Sequence, residues 1–155
     1  MSIKALQIAE WMLARARIDG EPLTNLKLQK LVYIANGWHL GFEGRPLFPE
    51  AVEAWPYGPV VPKVYQTYKA YGAGGIDSIG CRHSFAGRVN AVLETVWTAY
   101  ANLSAVQLVA LTHKSRTPWS LTYRDGEGRG ETIPTERIRL HYSDLATTYA
   151  TKQPA

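Results

Sequence analysis

Apolar residues recur along this chain at intervals of three and four, the spacing that gives a helix one buried face. Ile3, Leu6, Ala9 or Glu10, and Leu13 form a first stripe that closes at Asp19-Gly20. Thr24 then serves as N-cap of a second helix, with Leu28, Leu31, Val32, Ala35, Trp38 and His39 on one face. Lys27, Lys30 and Asn36 mark its solvated side, and Gly41 and Gly44 end it. Pro46, Pro49, Pro56, Pro59 and Pro62 forbid a continuous helix through the next stretch, which leaves room for a short extended piece at Ala51–Trp55. Pro62 suits the first turn of a helix running to about Ala70, because its missing N–H has no partner there in any case.

"GAGGIDSIG" reads as a flexible connection. Ser84 can cap the following helix, whose Val89, Val92, Leu93, Val96, Trp97 and Tyr100 make the cleanest stripe in the chain. Ser104 and Gln107 stand at capping-box spacing, and Thr117-Pro118-Trp119 reads as a cap, a first-turn proline and a short helix. "RDGEGRGE" is a polar loop, and a last helix turns Ile138, Tyr142, Leu145 and Tyr149 inward. The expected fold is therefore mainly α. It is a single compact domain of about six helices over residues 1–150, with a proline-rich, partly extended insert between helices 2 and 3. Residues 151–155 read as a frayed tail.

Length and composition are consistent with that picture. A chain of 155 residues with 46% hydrophobic content can bury a real core. The net charge of +4 permits a polyanionic partner, but the excess is spread along the chain: six Lys/Arg against five Asp/Glu in residues 1–50, four against three in 51–110, and seven against five thereafter. A nucleic-acid reader concentrates its basic residues more than this. The single cysteine, Cys81, excludes an intrachain disulfide and suits a reducing cytoplasm. The first twenty residues read as an amphipathic helix rather than a leader, and no segment has the run of apolar residues that a membrane span needs.

Candidate chemistry is sparse. There is no GxSxG, HExxH, Walker A or GxGxxG motif, so catalytic, cofactor and metal residues are all assigned as none. The four histidines fall on different predicted elements, and Cys81-x-His83 supplies two metal ligands at most. Thr112, His113 and Ser115 can be drawn as a triad, yet His113 at the end of its helix is better explained by the helix dipole and the last carbonyls. Glu50 and Glu53 do not make a glycosidase pair. A helix-turn-helix can be sketched with Lys114, Arg116 and Arg124 on phosphates, but Pro118 and Trp119 occupy the positions that a recognition helix uses to read bases. The stretch from Glu53 to Gly72, with one Trp, four Tyr and three Pro, is rigid and aromatic, as protein-recognition surfaces are.

Three motifs in order, "LTNLKLQKLVYIANGWHLGFEGRPLF", "AWPYGPVVPKVY" and "LTHKSRTPW", resemble the Panacea antitoxin domain family, which includes SocA-like proteolytic adaptors and phage-associated GepA-like proteins. The resemblance runs from about Ala5 to Tyr142. It is carried by Leu28, Gln29, Lys30, Leu31, Tyr33, Trp38, Leu47, Phe48, Ala54, Trp55, Gly58, Pro59, Val60, Tyr65, Leu111, Thr112, His113, Pro118 and Trp119. It implies an antitoxin that neutralises a cognate protein toxin by direct contact and has no catalytic residues. The SocA-like branch instead delivers its toxin to the ClpXP protease, and a DNA-binding autoregulator is a third reading. The motif residues should build the scaffold. The exposed aromatics of the insert, Tyr57, Tyr65 and Tyr68, and the corner from His113 to Trp119 are the expected toxin contacts.

Overall fold

The computed structural model describes residues 2–78 and 80–152. Seven α-helices and one two-stranded hairpin occur among them: α1 (Ala5–Asp19), α2 (Asn25–Glu43), β1 (Glu53–Trp55), β2 (Gly58–Val60), α3 (Pro62–Tyr68), α4 (Gly87–Tyr100), α5 (Ala105–His113), α6 (Pro118–Tyr123) and α7 (Thr135–Lys152). The mainly α expectation with a short extended insert holds. The extended piece is narrower than Ala51–Trp55, and α3 ends at Tyr68 with a 3-10 turn carrying the chain on to Tyr71. Gln153–Ala155, most of the expected tail, lie outside the described residues.

Local chemistry sets several boundaries. Thr24 Oγ1 accepts the Lys27 amide at 3.2 Å to start α2. At the head of α5, Ser104 and Gln107 form the reciprocal capping box at 3.1 and 2.8 Å. Thr117 Oγ1 accepts the Ser120 amide at 3.2 Å, with Pro118 in the first turn of α6. One expected cap is corrected. Helix α4 begins at Gly87 behind Ala86, and no side chain caps it; Ser84 lies too far upstream.

The core is organised around α2. It packs against α7, α4, α5, α1 and the hairpin, so it is wrapped on nearly every side and buries residues all round its circumference. This corrects the solvated side expected for it: Lys30 and Asn36 are buried. Asn36 Oδ1 accepts the Leu47 amide at 2.9 Å, and Lys27 is half-buried with Nζ donating to the Ala101 carbonyl at 2.6 Å. Gly44, not Gly41, ends the helix. Gly41 lies inside it, where a Cβ would come within 2.9 Å of the Tyr142 backbone, and a Cβ on Gly37 would overlap the Tyr142 ring. Those two glycines let α7 settle directly against α2.

The hairpin pairs Glu53 with Val60, Ala54 with Pro59 and Trp55 with Gly58 across a two-residue turn at Pro56-Tyr57. The loop after α6, expected to be plain polar chain, folds back along its outer edge. The Ala54 amide donates to Glu131 O at 2.9 Å, the Gly130 amide to Ala54 O at 2.7 Å and the Ile133 amide to Val52 O at 2.7 Å. Ile133 is thereby buried in the core. In α7, Ile138 and Tyr142 point inward as expected, but Leu145 (39%) and Tyr149 (66%) are exposed, because the helix continues past the body it packs on.

Candidate functional site: a buried polar corner and its exposed rim

The aromatic hairpin is held from below by side chains of α2. Gln29 Oε1 accepts the Val61 amide at 3.0 Å, and Gln29 Nε2 donates to Asn25 Oδ1 at 2.9 Å. Asn25 in turn donates to the Tyr65 carbonyl at 3.2 Å, so one relay from α2 fixes both the exit of the hairpin and α3. Lys30 is 0% exposed and donates from Nζ to the Pro59 carbonyl at 3.3 Å. Burial pulls its ammonium down from the ordinary 10.5 to about 7, since a charge in an apolar interior lacks its hydration. Gly58 closes over this side chain with φ +118°; a Cβ there would fall 2.6 Å from Lys30 Cε and 3.1 Å from Thr112 Oγ1.

From the other side comes the turn between α5 and α6. The Thr117 hydroxyl lies 2.8 Å from both the Thr112 and Lys114 carbonyls, which folds the turn tightly. The His113 and Trp119 rings stack at 3.8 Å and 4°, and Tyr123 continues the stack on Trp119 at 4.6 Å. Trp119 Nε1 donates to the Trp55 carbonyl at 2.7 Å, while Trp55 meets Tyr65 edge-on at 4.8 Å. His113 bonds to the Tyr57 backbone. Burial lowers its pKa, and nearby Lys30 adds to that. Its Nε2 is a buried atom without a hydrogen-bond partner. The surroundings of the imidazole therefore favour its neutral form, and the ring packs on Trp119 and meets the Tyr57 backbone at the end of its helix.

Residues from all three sequence motifs thus meet in one junction: Gln29 and Lys30, then Trp55, Gly58, Pro59 and Val60, then Thr112, His113, Pro118 and Trp119. Leu28, Leu31 and Tyr33 lie in the core beside it, and Trp38 is half-buried at its far end. Two expectations about exposure are corrected. Tyr68 (5%) faces inward, because the short α3 turns that side toward the core, and Trp119 (8%) is covered by His113 and Tyr123. Tyr57 is 71% exposed at the hairpin tip, and Tyr65 and His113 are half-buried below it.

The remaining sequence candidates have other partners. Glu10 Oε1 lies 2.8 Å from His83 Nε2 and its Oε2 accepts the Cys81 amide at 2.9 Å, which ties the Cys81-x-His83 loop to α1. No group of three or more His, Cys, Asp or Glu stands ready to hold a metal among the described residues. Glu50 accepts the Ala5 amide at 3.1 Å and Glu53 the Trp55 indole at 2.9 Å. Helix α6, the would-be DNA reader, has six residues with Pro118, Trp119 and Thr122 buried, and Arg124 is paired with Glu131 at 2.9 Å. No described helix is long and apolar enough to cross a membrane.

Residues 28–120, the span that encloses this junction, match the family described as Antitoxin SocA-like, Panacea domain. This chain belongs to that family. The Panacea chain is also 33% identical over 132 residues to Antitoxin SocA of Caulobacter vibrioides (strain NA1000 / CB15N), across 77% of this chain and 70% of that protein. No solved structure matches it. Sequence reasoning missed a further feature, a groove of about 430 Å³ where α2, α5 and α7 meet. The only signal for it was the apolar stripe of α7, which runs on to Leu145 and Tyr149.

Proposed function

We propose that this Panacea domain is a cytoplasmic antitoxin that silences a cognate protein toxin by binding it directly, without catalysis. The observation that carries the reading is the similarity to Antitoxin SocA over most of both chains. The way the motif residues are used supports a non-catalytic role. Gln29, Thr117 and Trp119 are committed to internal hydrogen bonds, and Lys30 is sealed under the hairpin. Their work is to hold a rigid corner that presents Tyr57, with Tyr65 and the edge of His113 at its base. A pre-ordered aromatic loses little conformational freedom on binding, which favours tight association. Tyr68 and Trp119 support this surface from beneath rather than touching the toxin.

Co-expression with candidate toxins drawn from the neighbouring genes tests the reading. The wild-type protein should restore growth, and Tyr57→Ala should weaken toxin binding about tenfold or more in titration calorimetry while melting normally. A wild-type chain that neither binds nor rescues would end the antitoxin reading. Similarity to SocA also favours a second route, in which the domain delivers the toxin to ClpXP for degradation. Rescue that disappears in cells lacking the protease would select that route; rescue that persists selects masking.

A further inference from the structure

We propose that the groove between α2, α5 and α7 docks an apolar segment of the toxin flanked by carboxylates, a proposal that rests on the antitoxin reading above. Its floor and walls are aromatic and aliphatic. Trp38 meets Tyr142 edge-on at 5.3 Å, donates from Nε1 to Tyr100 Oη at 3.0 Å and stacks on exposed Phe42 at 5.4 Å. Leu111 lines the α5 side, and Leu145 and Tyr149 line the α7 side. Those last two continue the helix's buried stripe into solvent, where water-exposed apolar side chains gain most from a covering partner.

Charge identifies the occupant. Every lining residue is apolar, hydroxyl-bearing or basic, and no Asp or Glu lines the groove. Lys114 stands exposed at its mouth, and among the described residues it takes part in no ion pair. A segment with carboxylates beside its apolar anchors therefore gains attraction from Lys114 at the mouth and meets no like charge in the lining itself, Asp144 standing outside it next to Leu145. A second copy carries a net charge of +4, so its approach as a whole is repelled rather than attracted. A small ligand held in the cavity would cover only the groove-facing sides of Leu145 and Tyr149, whereas a polypeptide segment can run along both and beyond them. The groove mouth follows directly on His113, so the segment would leave it toward the Tyr57 corner and extend one continuous contact surface.

Two measurements test this. In the toxin-rescue assay, Leu145→Asp and Lys114→Glu should each weaken toxin affinity about tenfold, and Lys114→Glu should also flatten its salt dependence. Ile18→Ser, at a still more exposed apolar position on α1, should change neither. Wild-type rescue with unchanged affinity in both groove variants overturns the groove while leaving the antitoxin reading intact. The second measurement needs no toxin. A synthetic amphipathic peptide of Leu, Phe and Glu should quench intrinsic fluorescence, to which Trp38 contributes. Its counterpart with Lys in place of Glu should not, and Leu145→Asp should abolish the response. No response from the acidic peptide, or equal binding of both peptides, overturns the proposal. So does a wild-type dimer that Leu145→Asp converts to monomer, since a second copy would then be the occupant.

Discussion

Lys30→Met gives the most direct test of the buried corner. Methionine has nearly the same length and no charge, so it removes the ammonium while keeping the volume beneath Gly58 filled. In the folded chain the Lys30 pKa falls from 10.5 to about 7 through burial. Between those values the unfolded chain holds a proton that the folded chain has released, so this side chain makes stability rise with pH. Below about pH 7 both states are protonated and the full cost of burying the charge is present. Raising the pH from about 6 to about 9 should recover about 3 kcal/mol through Lys30 alone. The Met variant lacks that slope, but leaves the Pro59 carbonyl without its donor at every pH, a cost of about 1–2 kcal/mol. Urea unfolding followed by circular dichroism should therefore find the variant more stable near pH 6, with most of that advantage gone by about pH 9 as the wild-type curve rises toward it. His113 contributes a slope of the same sign below about pH 6.5 in both proteins, and much of it cancels in the difference. Measurements stop near pH 9 because the buried tyrosines Tyr33 and Tyr142, whose pKa values burial raises, make stability fall once the unfolded chain ionises above about pH 10. Parallel curves for the two proteins would refute a buried, readily deprotonated Lys30.

Two further substitutions examine the same junction. Gly58→Ala forces a side chain into a positive-φ position and against Lys30, so it should cost about 3 kcal/mol in urea unfolding; a loss under 1 kcal/mol would mean the hairpin does not close on Lys30 as described. Thr117→Ala removes the N-cap of α6 and the hydroxyl bonding shared by two carbonyls, and should lower stability by about 1–2 kcal/mol, while Thr117→Ser should recover most of it.

Features whose chemistry is local were legible in the sequence. Thr24, the Ser104–Gln107 pair and Thr117-Pro118 announce helix starts because a cap needs only its own next three residues. Ser84 misled for the complementary reason: a residue able to cap does not cap when the chain after it stays non-helical for two more positions. The burial of Lys30 and Asn36 depends on how many neighbours surround α2, which periodicity along one helix does not report. The pairing of residues 130–133 with β1 joins positions nearly eighty apart, beyond the reach of any turn signal. At the candidate site, the motif residues could be named from the sequence, and they do converge. Which tyrosines point outward could not be read, since α3 is too short to show a stripe and Tyr68 lies only three residues from Tyr65.

The edge-on return of residues 130–133 bears on how portable this domain is. The stretch that defines the family, residues 28–120, ends before that return and begins after α1. Excised alone, it would keep the motif junction but lose Ile133, Ile138 and Tyr142 from one flank of α2 and Ile8, Met12 and Leu13 from the other. Its hairpin would also face water with an open, unpaired edge. The recognisable segment is thus a keystone rather than a module: moved into another protein, it should fold only if both the leading and the trailing helix travel with it.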